Sequence, residues 1–250
     1  MVSERRRFAL LPRLGISPPL GDVVRAALEE ALERAEVDRP PATDGAPTLA
    51  ALDAGCGRAS ALIRYRARIG RFVGADIHPP AAGALRCLDA FVEADMCRQP
   101  DAFPPASFDL VLSRFTVEHL ADPAAAFAAI RGWLRPGGTL VLVTVNRRHP
   151  FVAAYLDLPA GPRARVQRLV KATAADAHPL VGACNDPGAI RAALASAGYE
   201  AIRLESVGHL ARAWGRWLPG YLLGLAGDVL ARPFPSRRST LVVSARAPEV

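Results

Sequence analysis

Lysine is nearly absent. Lys171 is the only one in 250 residues, although the chain carries 31 basic side chains, so almost all positive charge is arginine. The arginines are dispersed, with small clusters only at Arg5–Arg7, Arg147–Arg148 and Arg237–Arg238. A net charge of +7 spread this way, in a chain only 6% aromatic, lacks the one-faced basic patch with interleaved aromatics that marks a nucleic-acid surface. No nucleic-acid partner is expected. Cysteine is also scarce. Cys56, Cys87, Cys97 and Cys184 form no CxxC pair and no metal-ligand spacing, so neither a disulfide framework nor a metal is expected. Reduced thiols suit a cytoplasmic protein. No apolar run approaches the ~18 residues of a membrane-spanning helix. The start Arg5-Arg6-Arg7-Phe8 looks like an export signal, but Pro12 and Arg13 interrupt its apolar run, and no signal peptide is expected.

What the chain does have is length for one elaborated α/β domain and an apolar fraction of 51%. Residues 1–47 read as a Pro-rich start, an amphipathic helix over Leu20–Val37 and a Pro/Gly/Asp linker, together an N-terminal helical cap. The apolar run Leu49–Leu52 then ends in Asp53, Gly55 and Gly57. That pattern predicts a buried strand, a tight glycine turn and a helix over Ala59–Ile69. Further strands are predicted at Arg71–Ile77, Phe91–Met96, Phe108–Ser113, Thr139–Val145, Tyr199–Val207 and Ser239–Ala245. Helices are predicted at 81–90, from Asp122-Pro123 up to a stop at Pro136-Gly137-Gly138, at Pro162–Thr173, at Asn185–Ala197 and over 208–232. Alternation at this spacing means parallel βαβ units with right-handed crossovers.

The strict dinucleotide pattern G-x-G-x-x-G lacks its third glycine. Gly55 and Gly57 are followed by Ser60. With LDAGCG (52–57), GADI (74–77), EADM (93–96), FDLVLSRFTVEHLADP (108–123) and WLRPGGTLVLVT (133–144), the chain resembles class I S-adenosylmethionine-dependent methyltransferases, specifically the small-molecule, methyltransferase type 11-like group. The resemblance implies a Rossmann-like, doubly wound seven-stranded sheet, mostly parallel with one antiparallel strand and helices on both faces. Residues 48–250 would form the methyltransferase domain, with cap insertions at 146–184 and 208–238.

The resemblance also implies roles. Gly55, Cys56 and Gly57 would approach the methionine part of S-adenosyl-L-methionine, with Asp53 bonding in or near it. Asp76, with Ile77 beside it, would bind the ribose hydroxyls, and Asp95 the adenine amino group, with Met96 against the ring. Ser113 and Arg114 would lie beside the sulfonium. The function implied is in-line methyl transfer to a small apolar or aromatic acceptor, leaving S-adenosyl-L-homocysteine. A protein of the same fold that binds the cofactor without methylating is the alternative. Candidate bases are Glu118, His119, His149 and His178, with His119 preferred. Both insertions should leave the sheet edge that holds the cofactor, so Tyr155, His178, Trp214, Trp217 and Tyr221 are candidate acceptor contacts, and His209 also lies in the second insertion. The aromatic stretch over 208–238 suits first a packed core or interface, then a pocket wall, then a peripheral membrane contact. A nucleic-acid amino methylase would carry an Asn/Asp-Pro-Pro-Tyr type site where Ser113-Arg114-Phe115-Thr116 stands. Monomer and homodimer both remain open.

Overall fold

The computed structural model describes residues 8–16, 18–79, 86–170 and 181–249. Seven strands form one sheet: β1 (Leu49–Ala54), β2 (Ile69–Asp76), β3 (Ala90–Glu93), β4 (Phe108–Arg114), β5 (Leu134–Val145), β6 (Glu200–Val207) and β7 (Thr240–Arg246). Their order is β3-β2-β1-β4-β5-β7-β6. All neighbours are parallel except that β7 runs antiparallel to β5 and β6, so the seven-stranded expectation holds with β7 as the reversed strand.

Side chains alternate across each strand and supply two cores. Leu52 of β1, Val111 of β4 and Leu140 of β5 meet α2 (Pro123–Trp133) and α5 (Pro187–Ser196) on one face. Leu49 and Ala51, Leu110 and Leu112, and Val141 and Val143 meet α1 (Leu20–Asp38) on the other. Two caps form as the sequence predicts. Asp122 accepts from Ala125 N (3.0 Å), and Asp186 accepts from Gly188 N (2.7 Å), each with proline in the first turn.

Several boundaries differ from the sequence expectation. The element after the glycine turn is a 3-10 helix, Ala61–Arg68, capped by Ser60, whose hydroxyl accepts from Leu62 N (3.1 Å). That cap occupies the place of the missing third glycine. α2 ends at Trp133 rather than at the Pro-Gly-Gly, and β5 begins at Leu134. Gly137 at φ 76° and a register shift take up the irregularity inside the strand. Of the helix expected at 81–90, residues 81–85 lie outside the described residues, 86–89 form a turn and bend instead of helix, and Ala90 already belongs to β3. The second arginine-rich helix runs Ala160–Val170 (α4), after α3 (Pro150–Asp157). The 208–232 stretch is two helices, α6 (Leu210–Ala213) and α7 (Leu218–Ala231).

Away from the cleft, the buried Asp109 carboxylate accepts from Ala50 N (2.7 Å) and Arg135 Nη1 (2.6 Å), joining β1, β4 and β5 at their starts. Asp109→Ala should lower unfolding free energy by about 2 kcal/mol in urea titration, because a backbone donor and a guanidinium lose a charged acceptor. An unchanged midpoint would mean water replaces it fully.

Candidate active site

The site begins where β1 stops. Gly55 N and Cys56 N both donate to Ala75 O of β2, at 2.8 and 3.1 Å, which turns the chain across the strand ends. Gly55 has φ 79°, and a Cβ there would sit 2.2 Å from Thr116 Oγ1. Glycine is required twice over, by the dihedral and by the approach of the β4 loop. Gly57, at φ 53°, faces open space. Its N–H donates to Asp76 Oδ2 (2.9 Å), and His78 N reaches Asp76 Oδ1 (3.3 Å). The end of β2 is therefore tied to the glycine turn, with the Asp76 carboxylate held at the cleft by backbone donors.

Asp53 is 2% exposed. Burial pushes its carboxyl up to about 6, against the pull of the Ser60 hydroxyl and the Arg114 charge, and Asp76 pushes the same way as burial. The folded value lies above the unfolded one near 4. Its stabilising contribution is thus complete below about pH 4 and lost as pH rises through about 6. Asp53→Asn should raise the melting temperature of the ligand-free protein at pH 7.5 and leave it unchanged at pH 4. A variant no more stable at pH 7.5 would show that the ionised carboxylate is well satisfied without ligand. Burial also pushes the Cys56 thiol up to about 12, with Asp53 and Asp76 adding to it, so Cys56 is no nucleophile at neutral pH.

Asp95 lies beyond β3, in a turn. It accepts from Cys97 N (2.9 Å), while its own N–H donates to Gln99 Oε1 (2.7 Å). Met96 is buried beside it. At the end of β4, Arg114 is followed by Phe115 at φ 53°, a left-handed bend with no glycine to announce it, held by Phe115 N donating to Val143 O (2.7 Å). The next turn separates Glu118 from His119. Glu118 is buried and accepts from Thr144 Oγ1 (2.8 Å), which in turn accepts from Asn185 Nδ2 (2.6 Å). Val181 N and Gly182 N donate to the Glu118 carbonyl, at 2.9 and 3.0 Å. Glu118 thus braces the β5 end and the approach to α5, while His119 lines the cleft.

These groups border one cleft of about 660 Å³, a size that suits a nucleotide-like ligand. Nine of the ten cofactor residues expected from sequence line it: Asp53, Gly55, Cys56, Gly57, Asp76, Ile77, Asp95, Met96 and Arg114. Ser113 does not. It is buried within β4, because alternation along that strand points it away. Phe115, Thr116, Ala94 and Leu120 also line the cleft; each lies inside one of the sequence motifs, but nothing in the pattern singles it out.

A second cavity, of about 400 Å³, shares Arg114 and Phe115 with the first. Its walls are α1 (Leu20, Val24, Arg25, Leu28), the 3-10 helix (Ile63, Arg64, Tyr65) and His209. Burial, with Arg212 and Arg114 nearby, pushes the His209 imidazole down to about 4, so it is neutral at pH 7, and its buried Nδ1 has no protein partner. The expected acceptor contacts fall elsewhere. Tyr155 and Trp214 pack edge-on, 6.4 Å between ring centres. Tyr221 is buried with Leu11, Ile16 and Ala211. Trp217 sits on the surface, 39% exposed. None of the four lines either cavity, and His178 lies outside the described residues. His149 is fully buried, pushed below the usual imidazole range by desolvation. No cluster of three metal-ligating side chains occurs among the described residues.

The cleft fits S-adenosylmethionine in its own terms: a glycine turn whose Gly57 faces open space, the buried Asp53 carboxyl raised by desolvation, and an acid at the next strand end. Comparison with known proteins agrees. Residues 52–142 match the family described as Methyltransferase domain. The ubiquinone biosynthesis O-methyltransferase of Xanthomonas campestris pv. campestris (strain B100) is 36% identical over 124 residues, 47% of this chain and 52% of that protein. The chain thus spans about half the length of the curated relatives it matches. Phosphoethanolamine N-methyltransferase 2 of Haemonchus contortus, solved with phosphomonomethylethanolamine and S-adenosylhomocysteine, superposes with TM-score 0.56 at 17% identity, over 88% of this chain and 53% of that one. An S-adenosylmethionine-dependent methyltransferase of Mesorhizobium loti superposes with TM-score 0.51 at 21% identity, over 88% and 97%. The family match supplies the motifs and the superpositions supply the fold. Over residues 52–142 the chain is similar to the methyltransferase-domain family, and it shares the fold of S-adenosylmethionine-dependent methyltransferases.

Proposed function

We propose that the protein binds S-adenosylmethionine in the larger cleft and methylates a small apolar or aromatic acceptor held in the adjoining cavity. The observation that carries this is the shared wall. Arg114 and Phe115 line both spaces, so an acceptor in the second abuts a cofactor in the first. Asp76 would take the ribose hydroxyls, Asp53 the cationic end of the methionine, and Asp95 with Met96 the adenine. When bound, the cofactor supplies a methyl group already activated on a sulfonium, so the protein's part is orientation and exclusion of water. The relative's name favours an oxygen acceptor. His119 lines the cofactor cleft and not the second cavity, so it would take the proton of an acceptor hydroxyl that reaches past Arg114 and Phe115 into the cleft.

The test is incubation with methyl-labelled cofactor and a panel of phenols, hydroxy acids and amines. Label in an extracted product supports the reading. Tight cofactor binding with no labelled product across the panel would favour a binding protein of the same fold. Because a cationic ligand prefers ionised Asp53, cofactor affinity should rise with pH through about 6 and level off above it. Asp53→Asn should bind more weakly and show no such rise in calorimetry. An identical pH profile in the variant would remove Asp53 from the site.

A further inference from the structure

Helix α7 is built inside out. Its buried residues are Gly220, Tyr221, Gly224, Gly227, Asp228 and Ala231. Its solvent face carries Leu218 (55% exposed), Leu222 (53%), Leu223 (51%), Val229 (37%) and Leu230 (64%), one stripe at helical spacing. Trp217 and Phe234 extend the stripe at its two ends. A surface helix normally shows the opposite arrangement.

The orientation is locked. A Cβ at Gly224 would meet Leu210 O at 2.7 Å, so this face alone can pack against α6. Asp228 is 3% exposed and accepts from Leu210 N (3.2 Å), Ala211 N (2.8 Å) and Ser239 Oγ (3.0 Å). Rolling the leucines inward would expose glycines and strand these donors. The apolar stripe is therefore a property of the folded state, and it is much larger than scattered surface leucines need explaining.

The segment that carries the stripe has exposed charge of one sign. Asp228 is the only acidic residue between 209 and 248, and it is buried. At the C-terminal end of α7, Arg232 bonds the Leu14 carbonyl (3.1 Å), Arg237 lies over the Phe234 ring (5.5 Å) and Arg238 bonds the Ser206 carbonyl (3.4 Å). Two copies meeting through this face would bring the arginines of the 209–248 segment together with no exposed acid of that segment to receive them. An anionic bilayer answers both features, the headgroup region for the stripe and lipid phosphates for the guanidiniums.

We propose that α7 is a docking surface for anionic lipid membranes. The helix lies in the plane of the interface and does not cross it, in keeping with the absence of any helix long and apolar enough to span a membrane among the described residues. β6 ends at Val207 and β7 begins at Thr240, which pairs with both Val207 and Val145, so α7 sits at the sheet edge where β5 and β6 end. The parallel strands β1, β2 and β4 end at that same edge, and the cleft opens there. Docking through α7 therefore turns the cleft edge, not the opposite one, toward the lipid.

Vesicle flotation of the full chain tests this without cofactor or acceptor, so its outcome is independent of methyl transfer. Vesicles of phosphatidylcholine with phosphatidylglycerol should bind about 10-fold or more tightly than phosphatidylcholine alone, with the difference lost in high salt. The double variant Leu222→Glu/Leu223→Glu alters two exposed positions and should keep the wild-type circular dichroism and melting temperature while losing about 10-fold in vesicle affinity. Equal binding to both lipid compositions, no binding at all, or full binding by the double variant would overturn the proposal. So would a dimer in sedimentation equilibrium that the double variant dissociates, since a second copy would then be the occupant.

Discussion

Replacing Asp76 with alanine should weaken S-adenosylmethionine binding by about 100-fold, read as the dissociation constant in titration calorimetry. In the proposed pose two ribose hydroxyls would each lose a charged acceptor, and such bonds contribute about 1.5 kcal/mol or more apiece, near 3 kcal/mol together. The loss extends to the protein itself. Asp76 also holds Gly57 N (2.9 Å) and His78 N (3.3 Å), so the glycine turn loosens in the variant. Asp76→Asn keeps an acceptor for one of these donors and should lie between the two. Unchanged affinity in Asp76→Ala would place the ribose elsewhere and withdraw the proposed orientation of the cofactor.

The second large effect is on stability. Gly55→Ala introduces a Cβ 2.2 Å from Thr116 Oγ1 and 2.9 Å from Thr116 Cβ, at a residue with φ +79°. The dihedral alone costs about 1 kcal/mol, and overpacking typically adds another 1–3 kcal/mol. A total of about 3 kcal/mol should appear as a lower urea midpoint, together with weakened cofactor binding. The two causes can be separated. Gly55→Ala/Thr116→Gly removes every atom in conflict and should recover the steric part while leaving the dihedral part. A double variant as unstable as the single one would mean that the backbone conformation, and not the approach of the β4 loop, sets the requirement for glycine. A single variant with the wild-type midpoint would mean that the turn adapts to a side chain at no cost.

Much of the fold was legible because it rests on short-range chemistry. Near-continuous apolar runs mark strands buried on both faces, as in Phe108–Arg114. Asp122-Pro123 and Asp186-Pro187 announce helix starts because an acid can cap and proline needs no amide partner there. The spacing from Gly57 to Asp76 survives as a direct hydrogen bond. The 3-10 character after the turn was not legible, since Ser60 caps either kind of helix.

The candidate site divides along the same line. Its cofactor side was visible because each residue sits at the end of a strand that the pattern already marks, and strand ends gather at one edge in a parallel sheet. Its acceptor side was not. The sequence directs attention to Tyr155, Trp214, Trp217 and Tyr221, the bulky residues of the two insertions, and aromatics at helical spacing look the same in a pocket wall as in a core. Packing spends three of them on core contacts and leaves Trp217 on the surface. The second cavity draws instead on α1, the 3-10 helix and His209, segments with no common motif.

By itself, then, the sequence determined the βαβ order, the glycine turn, the acids at the strand ends and the family to which they point. These depend on residues within about one strand or helix of each other, where backbone geometry dictates what a spacing means. Only the tertiary structure decided which half of Glu118-His119 faces the cleft, why Gly55 has no room for a side chain, and which way α7 turns its leucines. Each depends on a partner in another part of the fold, in a pairing that no motif marks: Thr144 and Asn185 for Glu118, Thr116 for Gly55, and Leu210 with Ser239 for Asp228. Those contacts exist only once the layers have packed, because a hydrogen-bond partner or a steric wall 60 residues away leaves no mark on the local pattern.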